Sequence, residues 1–173
     1  MRALVVGGGC RGLALSSALT AAGHAVRVVT RDEGRRSDIE AAGGEVWIGT
    51  PDVVGTLRYA LDNVTVLLWL LGTAAGDPEK VAALHGSRLR MMLEKTTDTT
   101  VRGVVYEAAG PLLAELYESG LAEMRRARET NEIPFAVIDA DPRDGPAWLA
   151  AARGAVESLL GRRALHSEIP LTR

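Results

Sequence analysis

One cysteine stands in the whole sequence, Cys10, so no disulfide can form within the chain. A framework stapled by cross-links is excluded, and a single thiol suits a reducing, cytoplasmic setting. Aromatic residues make up only 4% of the chain, which leaves no series of rings for nucleobases to stack on. Neither sign of charge dominates: 20 Lys and Arg against 22 Asp and Glu give a formal net charge of −2. Nucleic acid and anionic membrane surfaces are therefore not expected partners. The longest apolar run, residues 64–71, is far too short to span a bilayer. The first residues lead straight into a strand pattern, without the layout of a secretion signal.

What is present is an ordinary globular composition, 47% hydrophobic and 24% charged over 173 residues. That length suits one domain with a substantial core, expected over residues 1–161, followed by a polar tail, 162–173. It leaves no room for a separate substrate domain.

The most informative stretch is residues 2–31. Residues 3–6 are a short apolar strand pattern. Gly7, Gly9 and Gly12 follow as G-x-G-x-x-G. Residues 13–22 carry apolar side chains at helical spacing, Gly23 ends that helix, and residues 25–30 are a second β-branched run. A glycine turn between a strand and a helix is the dinucleotide fingerprint in its required context. Gly7 permits the tight turn, Gly9 lets the backbone approach a pyrophosphate, and Gly12 lets the helix pack on the strand. The helix start adds free N–H groups and a positive dipole end.

The rest of the chain continues the alternation. A capping box at Ser37 to Glu40 opens a short helix. Residues 45–48 read as strand three. Thr50 and Pro51 predict a helix over 51–61. Residues 64–71 have the continuous apolarity of a strand buried on both faces. Asp77-Pro78 predicts a helix reaching about residue 95. Strand five is expected over 101–106, a helix over 111–131 with a break at Ser119-Gly120, strand six over 134–139, and a last helix over 146–160. This pattern predicts an α/β fold, a doubly wound parallel Rossmann sheet of six strands in the order 3-2-1-4-5-6. Ligands then bind where the order reverses, between strands one and four.

That placement selects the cofactor-binding candidates: Gly7, Gly9, Cys10, Arg11 and Gly12 in the turn, and Leu71, Gly72 and Thr73 after strand four. Arg31, at the end of strand two, stands where an acidic residue would hold the ribose of NAD. A guanidinium there suits the 2′-phosphate of NADP, with Arg11 and Arg35 or Arg36 as helpers. NADP is the expected cofactor and NAD the second choice. Glu107, at the carboxyl end of strand five, is the one candidate for general acid–base work, with an ion pair to a nearby arginine or a cap to the next helix as its simpler role. Asp139, Asp141 and Asp144 read as turn and cap residues, and the histidines have no metal-ligand spacing. Trp47, Trp69 and Trp148 read as core or interface residues.

The layout resembles the atypical short-chain dehydrogenase/reductase group, the NmrA-like or epimerase-like proteins. The resemblance extends to residues 85–95, 101–106 and 133–139, at the level of pattern. It implies a dinucleotide site, and a homodimer is compatible with it. The catalytic serine of that group is missing, with Glu107 the nearest residue. Tyr117 is followed four residues later by Leu121, so there is no Tyr-x-x-x-Lys. The glycine turn is one residue shorter than the group's, and resembles that of ketopantoate-reductase-type enzymes. Two readings follow: a non-catalytic NADP-binding or redox-sensing module whose partner is a protein or small molecule, and an NADP-dependent oxidoreductase of unknown substrate.

Overall fold

In a computed structural model, residues 1–164 are described, with side chains through residue 161; the expected tail at 162–173 lies largely outside the described residues. Six strands form one parallel sheet: β1 (Arg2–Gly7), β2 (Ala25–Thr30), β3 (Glu45–Ile48), β4 (Val66–Leu70), β5 (Gly103–Glu107) and β6 (Phe135–Ile138). Their order is β3-β2-β1-β4-β5-β6, as the alternation predicts. All five pairings are parallel, with Val5 beside Val28 and Leu68, and Leu68 beside Val105.

Helices cover both faces: α1 (Gly9–Ala21), α2 (Arg36–Ala41), α3 (Pro78–Leu84), α4 (Ser87–Thr96), α5 (Ala114–Asn131) and α6 (Gly145–Ala164). Successive strand residues point to opposite faces, so the core divides in two. Leu4, Val6, Leu67, Trp69 and Tyr106 pack with Leu89, Met92 and Met124 of α4 and α5. Ala3, Val5, Leu68 and Val105 pack with Leu15 and Leu19 of α1 and Trp148 and Ala152 of α6. The central strands β4 and β5 are buried along their whole length. Among the described residues no helix is long and apolar enough to cross a membrane.

Four local expectations are corrected. The helix predicted over 51–61 is instead two 3-10 turns, Val54–Leu57 and Tyr59–Leu61. Thr56 explains this: its hydroxyl donates to Val53 O at 2.8 Å, with Thr50 O the second acceptor within reach, and accepts from Thr50 N, which competes with helix formation. The helix after β4 breaks at His85-Gly86 into α3 and α4, because His85 is drawn into the interior. Ser37 does not cap α2, which opens at Arg36 with Arg35 in the cap position, two residues earlier than the capping box predicts and behind a 3-10 turn capped by Asp32. No break occurs at Gly120: α5 runs unbroken, and the glycine makes room for Tyr106, whose Oη would lie 1.9 Å from a Cβ there.

Candidate dinucleotide site

The glycine turn sits at the carboxyl end of β1. Gly7, Gly8 and Gly9 have φ of +86°, +84° and +52°, a left-handed run that only glycine adopts at little cost. It turns the chain directly into α1. Among the described residues no side chain caps that helix, and its first turn holds no acidic residue, whereas Asp77 caps α3 through the N–H groups of Glu79 and Lys80. The opening N–H groups of α1 and its positive dipole end are thus left for an external acceptor. A Cβ on Gly9 would meet nothing within 4 Å, so that face of the turn is open. A Cβ on Gly12 would lie 2.7 Å from Gly7 O, which fits the close helix–strand packing assigned to it.

The loop after β4 stands against this turn. A Cβ on Gly7 would lie 2.4 Å from Leu70 O and 2.5 Å from Leu71 Cδ2. Arg11 closes the remaining distance: its Nη2 donates to Thr73 Oγ1 at 3.0 Å and to Glu107 Oε1 at 3.0 Å. The predicted residues Gly7 to Gly12 and Leu71 to Thr73 therefore form one constellation. Cys10 is exposed on it.

Arg11 departs from its expected role beside Arg31. It turns inward, its Cζ 5.1 Å from the centre of the Trp148 ring, and pairs with a fully buried carboxylate. Both oxygens of Glu107 are engaged: besides Arg11 it accepts from Gly72 N at 2.8 Å and from Trp148 Nε1 at 2.8 Å. Its simpler reading, an ion pair with an arginine, is the one observed. Burying a charge is tolerated only with such complete pairing.

Arg31 follows β2, is exposed, and makes no side-chain hydrogen bond or ion pair among the described residues. Asp32, its neighbour, is engaged: Oδ1 accepts from Gly34 N at 2.8 Å. Arg36 is held by Glu33 and Glu40, which keep its charge firmly in place.

Three residues with a part in the site escape the sequence reading. Trp148 donates to Glu107 from α6, and its signal is general: a buried indole N–H needs an acceptor. Tyr117 Oη donates to Gly72 O at 2.8 Å and accepts from Leu112 N at 3.2 Å, which ties α5 to the loop after β4. His85 Nε2 bonds Leu71 O at 3.2 Å, and its Nδ1 bonds Tyr106 Oη at 2.6 Å. The carbonyl can only accept, so Nε2 carries the proton and Tyr106 donates to Nδ1. Burial pushes His85 below the usual imidazole range, against the opposing pull of Leu71 O. Burial also raises both tyrosines above the ordinary phenol range.

After β6, Asp141 accepts from the backbone and guanidinium of Arg143, whose side-chain hydrogen bond leads in holding the carboxyl down at about 2. Asp144 accepts from Ala147 N at the start of α6. Both perform the turn and cap duty expected of them. Asp139 is exposed and engages no partner among the described residues.

No protein-family model and no curated protein sequence matches the chain. Solved structures do. A short-chain dehydrogenase/reductase superfamily protein from Agrobacterium tumefaciens with bound NAD superposes with a TM-score of 0.65 at 20% identity, over 80% of this chain and 48% of that one. UDP-glucose 4-epimerase from Thermotoga maritima, solved with UDP-glucose, gives 0.67 at 15% identity, over 80% and 55%. UDP-glucuronic acid 4-epimerase from Bacillus cereus in complex with NAD gives 0.63 at 14%, over 80% and 56%. The chain thus spans about half the length of these structures. What it has in common with them is the fold: this chain is a Rossmann α/β domain of the architecture seen in short-chain dehydrogenases/reductases and nucleotide-sugar epimerases.

Proposed function

We propose that the chain binds a nicotinamide dinucleotide across the carboxyl ends of β1 and β4, with NADP(H) preferred. The observation that carries this reading is the left-handed run Gly7-Gly8-Gly9 leading into an uncapped helix start. The pyrophosphate is received by the N–H groups opening α1. Leu71, Gly72 and Thr73 wall the other side, and Cys10 is a small residue at the rim. Arg31, exposed and without a side-chain partner among the described residues, takes the 2′-phosphate, while Asp32 turns its Oδ1 to Gly34 N. Solved proteins of this fold include ones with bound NAD, which supports the cofactor class.

We favour a cofactor-binding or redox-sensing module over a reductase. The one carboxylate placed for proton transfer, Glu107, has both oxygens committed and no exposure. The Tyr117 hydroxyl spends its proton on Gly72 O. The dinucleotide supplies hydride chemistry wherever it is bound, but a product alkoxide also needs a proton donor, and neither group is free to be one.

Calorimetric titration with NADPH and NADH tests the proposal. The wild type is expected to bind NADPH about tenfold more tightly, one charge-assisted contact's worth. Arg31→Ala removes that preference and leaves NADH binding nearly unchanged. Gly9→Ala abolishes binding of both, because its methyl enters the pyrophosphate's space, while the protein stays folded. Equal affinity in the wild type would unseat Arg31; normal binding by Gly9→Ala would reduce the turn to a structural device.

A further inference from the structure

We infer that the cleft between Arg11 and the loop after β6 is a second ligand site, built for a small zwitterion: an α-amino acid with an apolar side chain. The cleft has a volume of about 580 Å³ and opens beside the glycine turn. One wall carries Arg11 and Thr73, the other Asp139, Asp141 and Arg143.

The first wall presents two donors without acceptors. Arg11 spends Nη2 on Thr73 and Glu107, and its Nη1 has no partner among the described residues. The side chain keeps 21% exposure, so that edge reaches the cleft. Thr73 Oγ1 accepts from Arg11, which leaves its own proton free. The two side chains are neighbours, tied by the 3.0 Å hydrogen bond from Arg11 Nη2 to Thr73 Oγ1. Glu107 and the Trp148 ring fix the guanidinium from behind, so the donor pair is held ready for one acceptor group. A planar carboxylate matches it.

The opposite wall sets the sign of the rest of the ligand. Arg143 and Asp141 neutralise each other, as Arg11 and Glu107 do. Asp139 remains as the one carboxylate of the cleft without a counter-charge among the described residues. With both ion pairs cancelling, the lining together with Glu107 behind Arg11 has a residual charge of one negative. A phosphate dianion is repelled by that balance, and a simple carboxylate leaves Asp139 unanswered. A molecule bearing a carboxylate and an ammonium answers both walls. Pro111 and Pro142 supply apolar surface for its side chain.

The test is titration of the dinucleotide-free protein with L-valine, L-leucine and L-phenylalanine. Each is set beside the amine that lacks its carboxylate and the acid that lacks its amine; inorganic phosphate is the fourth probe. Because no dinucleotide is present, the result stands apart from the cofactor titration. At least one amino acid is expected to bind about tenfold more tightly than both of its truncated relatives, and phosphate is expected not to bind. Thr73→Val, which loses only the hydroxyl, weakens the amino acid and its des-amino acid alike. Asp139→Asn, at an exposed position, erases the advantage of the amino acid over the des-amino acid. Thermal unfolding of both variants should match the wild type. Three amino acids that bind no better than their fragments would overturn the inference. So would a preference that survives both substitutions, or phosphate as the tightest ligand.

Discussion

Gly120 shows at the level of one residue how context reverses a propensity. A glycine in mid-helix usually gains about 1 kcal/mol of stability on becoming alanine. Here the added methyl would meet Tyr106 Oη at 1.9 Å and the ring's Cζ at 2.3 Å. The ring cannot retreat, because Tyr106 is fully buried on β5 and its hydroxyl donates to His85. Gly120→Ala is therefore expected to destabilise by about 1–3 kcal/mol, the usual range for overpacking, as read by urea denaturation. A stabilised variant would mean that α5 can lift from the sheet. The sequence shows the glycine but not the ring across from it, so Ser119-Gly120 reads as a break. Gly12 is the opposite case. Its partner, Gly7 O, lies within the same motif, and its close packing is legible from spacing alone. The inward turn of Arg11 is hidden for the same reason as Gly120's role, since Glu107 is 96 residues away.

Elements are legible where their signals are local. Asp77 before Pro78 marks the start of α3, and the continuous apolarity of β4 marks a strand buried on both faces. Their ends are less legible, because tertiary bonds decide them. His85 ends α3 by bonding Leu71 O and Tyr106, a commitment with no trace in periodicity. That bond has a pH signature. Burial holds folded His85 below its ordinary value of 6.5, so the unfolded chain binds the proton more readily. The stability due to the neutral ring is complete above about pH 6.5 and is lost as pH falls toward the folded-state value. Between pH 7.5 and 5.5 the wild type is expected to lose stability through this residue. His85→Gln should be less stable at pH 7.5 yet flatter across that interval in urea titrations. Glu123 and Asp141, both held low by arginines, act only at more acid pH. An equally steep variant would place the titrating group elsewhere.

For the whole molecule, the strand order follows from alternation and the glycine turn, but which parts unfold together does not. The two apolar layers share their backbone: Leu67 and Trp69 face one side of β4, Val66 and Leu68 the other. Neither layer can melt while the other keeps that strand, so unfolding is expected to be a single transition. Trp69 and Trp148 report the two sides separately. With Trp47 replaced by Phe, and then either Trp69 or Trp148 as well, emission and far-ultraviolet circular dichroism should trace one curve in each variant. Separated midpoints would show two independent layers. The buried carboxylate adds a constraint in time. Domains are made from the amino end, and Arg11 emerges 96 residues before Glu107, whereas Trp148 follows it by 41. Until that indole arrives, a nascent chain holds a charged group at the end of a central strand with one donor missing and its covering helix unmade. The glycine turn is synthesised well before α6, yet the wall behind it is finished only when that helix emerges from the ribosome.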